Sequence, residues 1–142
     1  MTNFTTRLMV AAATLVAAAG AASAQTMKAE IPFTFRANGA VMTAGTYRVT
    51  LDYTSGTPIL YLFNNDGGHS VLAQARVPHD VPKAWQAAGS PVLSFQCGSS
   101  LCSLSGVWSG GDRPAYNFAT PKLGKDEPVR VALISLRAEK GD

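Results

Sequence analysis

The sequence predicts an all-β fold, either a single antiparallel β-sandwich or a small β-barrel of about seven strands, following an N-terminal signal-peptide helix. Two observations lead to this prediction. Short segments in which apolar and polar residues alternate recur along the chain, and clusters of Gly, Asn, Asp and Pro separate them. Beyond the N-terminus, only a brief proline-flanked stretch has a helical pattern, which disfavours an α/β fold.

The first 24 residues have the composition of a secretory signal peptide. Arg7 precedes an apolar run over residues 8–19, and a small-x-small site ends at Ala24, directly before Gln25. We therefore expect cleavage between Ala24 and Gln25, which leaves one domain of residues 25–142. The apolar run is shorter than a membrane span needs. The mature chain is therefore expected to be exported, periplasmic or extracellular, with no stable membrane span.

Charge and length limit the classes of function. The formal net charge of the whole chain is +3, and its cations are scattered singly rather than clustered. A nucleic-acid surface needs grouped cations with aromatic residues between them, so we expect no nucleic-acid partner. The mature length suits one hydrophobic core and hardly two.

Residues 31–53 predict the first two strands, joined through a corner at the segment Ala-Gly-Thr-Tyr. Because side chains alternate across a strand, one face of each is expected to be buried. The buried faces are Ile31, Phe33 and Phe35 in the first strand, and Tyr47, Val49, Leu51 and Tyr53 in the second.

The middle and end of the chain predict further strands. Residues 59–63 are apolar on both faces and predict a central strand, and residues 64–68 are a hairpin turn rich in Asn and Gly. Residues 69–77 predict the returning strand, residues 129–136 the last strand, and residues 137–142 a fraying polar tail. The buried face of the returning strand is expected to be Val71, Ala73, Ala75 and Val77.

The two cysteines, Cys97 and Cys102, predict a disulfide, because an exported domain lies in an oxidising compartment. Direct pairing of the two residues fixes the register of a hairpin. The register places these residues on one apolar face: Phe95 opposite Leu104, Leu93 opposite Gly106, and Trp108 beyond.

Two irregular segments flank this hairpin. Residues 78–90 predict a long loop with at most one or two helical turns. Trp85 in this loop is expected to pack on the core, and the less favoured alternative is an exposed tryptophan that stacks on a ligand. Residues 109–128 predict an irregular excursion with Tyr116 and Phe118 directed inward.

Candidate catalytic residues are few. His79 and Asp80 are the best pair, but neighbouring residues usually point apart, and a catalytic base needs its carboxylate on the far ring nitrogen. Ser109 lacks the Gly-x-Ser-x-Gly spacing of a nucleophile elbow, and His69 follows a hairpin turn. No spacing indicates a metal site or a cofactor motif. The sequence therefore predicts no enzyme, no cofactor and no metal.

The motif IPFTF at residues 31–35, followed by TAGTYRV at residues 43–49, resembles the opening of a group of small secreted bacterial proteins abundant in Acidobacteria. Residues 93–95 and 104–108 resemble the second half of that group more loosely. The chain departs from the group at residues 129–136, where a polar, helix-prone tail is expected instead of a strand. The resemblance implies an exported bacterial β domain and carries no catalytic residues with it.

These observations favour an exported, non-enzymatic binding or structural module of the envelope or extracellular space. It would bind a protein or glycan through an exposed sheet edge or through loops at one end of the domain. The alternative is a lipocalin-like carrier, since a closed barrel can enclose a small apolar ligand. A hydrolase whose site is assembled by the fold is the third hypothesis.

Overall fold

The structure is a computed structural model that describes residues 24–53, 56–99, 101–122 and 127–138. The predicted signal-peptide helix and residues 139–142 of the predicted tail lie outside the described residues. Within them the chain is all-β, with one short helix, α1 (Lys83–Ala87). The strands are β1 (Ala24–Ile31), β2 (Phe35–Ala37), β3 (Ala40–Met42), β4 (Gly45–Asp52), β5 (Ile59–Asn64), β6 (Ser70–Gln74), β7 (Pro78–His79), β8 (Val92–Cys97), β9 (Cys102–Trp108), β10 (Ala115–Asn117), β11 (Arg130–Ser135) and β12 (Arg137–Ala138).

The described strands form two sheets and not one closed barrel. Sheet I has five strands in the order β12-β1-β4-β5-β6. Sheet II has seven strands, with the order β11-β8-β9-β10-β7, and β2 joins it beside β9 and carries β3. Every pairing is antiparallel except that of β2 with β9. The number of strands exceeds the seven predicted, because several strands of two or three residues are too short to give an alternating pattern.

The chain passes from one sheet to the other at four points, which follow β1, β3, β6 and β11. Ile31 and Phe35 are both buried, as predicted, but Ile31 ends β1 in sheet I and Phe35 begins β2 in sheet II. Pro32 lies between them and has no N–H to continue a ladder. The last crossing is at buried Leu136, where β11 of sheet II gives way to β12 of sheet I. The expectation that the tail frays was therefore wrong for Arg137–Ala138, which pair with β1.

One hydrophobic core takes residues from both sheets. Its centre is a set of edge-to-face aromatic contacts, in which the ring centroid of Phe35 lies 5.4 Å from that of Tyr47 and 5.2 Å from that of Phe95. The aliphatic residues of the core include Ile31, Val49, Leu51, Leu60, Leu62, Leu93, Leu104 and Val107. The predicted buried face of β4 is confirmed at Tyr47, Val49 and Leu51.

A β-bulge in the cysteine hairpin corrects the predicted register. Phe95 lies opposite Leu104 as predicted, but Ser94, not Leu93, lies opposite Gly106. Ser105 is the extra residue on β9, and one extra residue exchanges the two faces of a strand.

Because of the bulge, Trp108 does not share the face of Cys97 and Phe95. It joins a second, smaller cluster of buried residues on the other side of sheet II. This cluster consists of Trp85, Val92, Trp108 and Ala115. We call it the tryptophan cluster.

At three further places the burial or the extent of a strand differs from the sequence pattern. Residue 77 was predicted to be buried, yet Val77 is 79% exposed and lies after β6 has ended. The prediction of a central strand is confirmed, because β5 lies between β4 and β6, although Tyr61 and Phe63 on its outer face are 39% and 40% exposed. Most of β1 was missed, although Met27 and Ala29 alternate with polar residues and are buried.

Candidate functional site

The cysteines and the cleavage position are structural features of the two sheets. The sulfur atoms of Cys97 and Cys102 lie 2.07 Å apart and close the β8–β9 hairpin. No free cysteine occurs in the described part of the chain. Ala24 and Gln25 lie in β1 opposite Asp52 and Leu51, so cleavage there would leave most of β1 in the mature chain. The cleavage itself stays a prediction.

The Ala-Gly-Thr-Tyr corner has a structural explanation that begins with a buried asparagine. Asn64 is 1% exposed, and its Nδ2 donates to Thr43 Oγ1 at 3.1 Å and to the Tyr47 hydroxyl at 3.2 Å. Its Oδ1 accepts hydrogen bonds from the backbone N–H groups of Asp66 at 2.8 Å and Gly67 at 3.2 Å. The side chain therefore joins the β5–β6 turn to the turn before β4.

Gly45 and Tyr47 complete this junction. A Cβ at Gly45 would lie 2.9 Å from Asp66 Oδ2, so glycine allows the two turns to approach. The Tyr47 hydroxyl donates to the Thr43 carbonyl at 2.6 Å, and burial raises the pKa of Tyr47 above its ordinary value. The motif positions two turns and presents no reactive group.

His79 and Asp80 are not arranged as a catalytic pair. His79 Nδ1 lies 2.8 Å from the backbone carbonyl of Asp80, and Nε2 lies 2.9 Å from Asn117 Oδ1. Both ring nitrogens thus have partners, and neither partner is a serine or a carboxylate. His79 joins β7 to β10 at the register Ala115↔His79.

The other two candidates lie elsewhere. His69 is exposed after the β5–β6 turn, and its carbonyl accepts a hydrogen bond from the Asn64 N–H at 2.8 Å. Ser109 Oγ lies 3.1 Å from the Tyr53 hydroxyl. The fold therefore does not bring the predicted Ser, His and Asp residues together.

An open groove of about 570 Å³ lies between the segment that leads into α1 and the loop between β9 and β10. We call it the polar groove; its lining is Pro78, His79, Asp80, Val81, Gln86, Gly111, Asp112, Arg113 and Pro114. Asp80, Asp112, Arg113 and Gln86 are exposed, so carboxylates, a guanidinium and an amide face the same space.

The tryptophan cluster and two tyrosines hold the wall formed by the β9–β10 loop. Trp108 Nε1 donates to the Arg113 carbonyl at 3.0 Å. The Arg113 guanidinium carbon lies 4.7 Å from the centre of the Tyr53 ring, a cation–π distance. Tyr53 in turn packs against Tyr116 at 6.3 Å between ring centroids, and burial raises the pKa of Tyr116. Arg113 is thus positioned by contacts on its backbone and on its side chain.

The opposite wall depends on Trp85. Trp85 is buried, as predicted, and its indole lies directly over β9, where a Cβ at Gly106 would come within 2.8 Å of Trp85 Cη2. The ring centroid of His79 lies 6.3 Å from that of Trp85. Glycine at this position therefore lets α1 lie close to the sheet.

Sequence reasoning found His79 and Asp80 but missed Gln86, Asp112 and Arg113. Gln86 lies in α1, whereas Asp112 and Arg113 lie in the loop between β9 and β10. A helix of five residues and a Gly- and Pro-rich loop are both too irregular to give a periodic pattern, so no signal in the sequence marks these residues as neighbours.

Among the described residues, no group of three or more His, Cys, Asp or Glu is placed to hold a metal ion. No helix in the same residues has the length and apolarity needed to cross a bilayer. Comparison of the chain with protein families, curated proteins and solved structures finds no match.

Proposed function

We propose that the protein is an exported, non-enzymatic β-sandwich module that binds a segment of a protein partner in the polar groove. The signal-peptide pattern of the first 24 residues supports export to the periplasm or beyond. The Cys97–Cys102 pair supports an oxidising compartment. The resemblance of residues 31–35 and 43–49 to small secreted bacterial proteins supports the same conclusion.

The observation that carries the proposal is the open groove lined by exposed polar groups of both charge signs. A peptide presents N–H donors, carbonyl acceptors and charged side chains. Carboxylates at Asp80 and Asp112, together with the Arg113 guanidinium and the Gln86 amide, complement these groups. Because Arg113 is already held by Tyr53 and Trp108, less conformational entropy is lost on binding.

The lining favours a peptide over a glycan. Sugar rings usually stack on exposed aromatic side chains, and the residues that line the groove include no Trp, Tyr or Phe. Trp85 and Trp108 are buried beneath it and offer no exposed face.

A phage-displayed library of random peptides tests the proposal, with the mature protein as bait. We expect enriched peptides to shift the amide NMR signals of residues 79–80 and 111–113. Arg113→Ala should weaken their binding at least tenfold, while Lys28→Ala, which removes an exposed cation from β1, should leave it unchanged. If no peptide is enriched, or if both variants bind equally well, the proposal is wrong.

The carrier and hydrolase hypotheses have less support. The space between the sheets is occupied by Phe35, Tyr47 and Phe95, which are fully buried. Native mass spectrometry of the purified protein tests the carrier hypothesis. Detection of a bound apolar molecule would favour that hypothesis over peptide binding. Both ring nitrogens of His79 have hydrogen-bond partners, which argues against its use as a catalytic base. Turnover of esters or peptides that is reduced in a His79→Ala variant would support the hydrolase hypothesis.

A further inference from the structure

A second cavity lies on sheet II and shares no described lining residue with the polar groove. It has a volume of about 240 Å³ and lies between the β2–β3 hairpin, β9 and the segment that follows β10. We call it the serine cavity; its lining includes Arg36, Asn38, Val41, Ser103, Ala119 and Pro121. The described lining contains one cation and no carboxylate, so its charge favours an anion as ligand.

The register of sheet II places Arg36 and Ser103 side by side. β2 runs parallel to β9 with Arg36 opposite Ser103, and β3 places Val41 on the other side of Arg36. Residues at matching positions of neighbouring strands share one face of a sheet, about 4.8 Å apart. Phe35 and Leu104, which adjoin this row in sequence, are buried in the core, so the row lies on the opposite face. The guanidinium and the hydroxyl can therefore reach the same ligand.

The Ser103 hydroxyl is the unsatisfied group of the serine cavity. Ser103 is only 8% exposed, and no described group forms a hydrogen bond with its hydroxyl. The other buried polar side chains in the described chain, Asn64 and Ser94, both have partners. Every fully enclosed side-chain oxygen in these residues is hydrogen-bonded, so the Ser103 oxygen keeps a small accessible surface. A ligand in the cavity that accepts a hydrogen bond from this hydroxyl would satisfy it.

Hydrogen bonds hold both walls of the serine cavity. Asn38 Nδ2 donates to the Leu72 carbonyl at 3.0 Å and fixes the turn of the β2–β3 hairpin against β6 of sheet I. On the other side, the Phe118 N–H donates to the Ser105 carbonyl at 3.0 Å and fixes the segment after β10 beside β9. The cavity is therefore formed before a ligand enters, which lowers the entropic cost of binding.

We propose that the serine cavity binds a small monocarboxylate with a short hydrocarbon body. The Arg36 guanidinium and the Ser103 hydroxyl both donate hydrogen bonds, and an ionised carboxylate only accepts them. Val41, Ala119 and Pro121 offer apolar surface for the hydrocarbon body. The volume is below the roughly 300–1,000 Å³ of pockets for drug-sized ligands, so the body must be short. This site is independent of peptide binding in the polar groove.

Titration of the mature protein with sodium hexanoate, measured by calorimetry and by amide NMR, tests the proposal. Hexanoate should bind saturably and shift the signals of residues 36, 38, 103 and 119. Hexanamide keeps the hydrocarbon body without the charge, and inorganic phosphate carries charge without the body. Each should bind at least tenfold more weakly than hexanoate, because each lacks one of the two kinds of contact.

Substitutions at the two donors test where the carboxylate binds. Arg36→Gln and Ser103→Ala should each weaken hexanoate binding at least tenfold. Their matched controls, Arg130→Gln on β11 and Ser70→Ala on β6, remove exposed side chains outside the cavity and should bind normally. Ser103→Ala should also keep the urea midpoint of the wild type, since the hydroxyl has no partner to lose.

A further variant at Val41 adds a competing carboxylate. Val41 is 58% exposed and lies opposite Arg36, so Val41→Glu should fold normally and abolish hexanoate binding. Its control, Val41→Gln, has the same length without the charge and should keep most of the binding. Absence of saturable binding to the wild type overturns the proposal. Equal binding by the wild type, Arg36→Gln and Ser103→Ala does so too, as does binding of phosphate or hexanamide as tight as that of hexanoate.

Discussion

Replacing Asn64 with alanine should destabilise the fold by about 2–4 kcal/mol. The change removes hydrogen bonds to Thr43 Oγ1 and the Tyr47 hydroxyl, and two more from the N–H groups of Asp66 and Gly67. A net intramolecular hydrogen bond contributes about 0.5–1.5 kcal/mol. The turn N–H groups are near solvent and belong at the low end of this range, whereas the hydroxyl bonds are more buried.

Urea denaturation of the mature protein measures this effect. Asn65→Ala is the matched control, because Asn65 is the exposed neighbour in the same turn and its backbone N–H, which alanine keeps, donates to the Thr46 carbonyl. The control should change the free energy of unfolding by less than about 0.5 kcal/mol.

A double-mutant cycle with Tyr47→Phe separates the shared bond from the rest. The two changes should couple by about 1 kcal/mol, because residues in one hydrogen-bond network are not additive. A loss below 1 kcal/mol for Asn64→Ala, or strict additivity with Tyr47→Phe, would refute the reasoning that this asparagine joins the two turns.

Two other changes should also be measurable. Gly106→Ala should cost about 1–3 kcal/mol and shift the tryptophan emission, because its Cβ would lie 2.8 Å from Trp85 Cη2 and 3.1 Å from the Tyr116 carbonyl. Gly67→Ala, with 3.4 Å to its nearest neighbour, is the control, and an equal loss in both would contradict the packing argument. Burial raises the pKa of Tyr47 above 10.0, so its contribution to stability should be complete below about pH 10 and decline as the pH rises further. A pH series of urea denaturation should show this decline in the wild type and less of it in Tyr47→Phe.

The sequence predicted local features well, because they depend on the two-residue period of a strand. The alternation at Tyr47, Val49 and Leu51 requires one buried face wherever the strand lies. The turn at residues 64–68 was also predicted, since Asn and Gly favour it. The composition of this turn does not indicate that the Asn64 side chain is buried. Its Nδ2 group has a partner at Thr43 Oγ1 only because the fold brings the turn before β4 close to it.

The sequence by itself determined an all-β chain, the Cys97–Cys102 pairing and the Phe95–Leu104 register, because each follows from local patterning or from a single covalent link. Only the tertiary structure decided that Ile31 and Phe35 belong to different sheets, since both sheets contribute to one core and either gives the same alternation. The bulge at Ser105 depends on how β9 meets β8, and it moves Trp108 to the opposite face. The polar groove forms where the segment that leads into α1 meets the loop between β9 and β10. The hydrogen bond between His79 and Asn117, which are 38 residues apart in the sequence, helps to bring these two parts of the chain together.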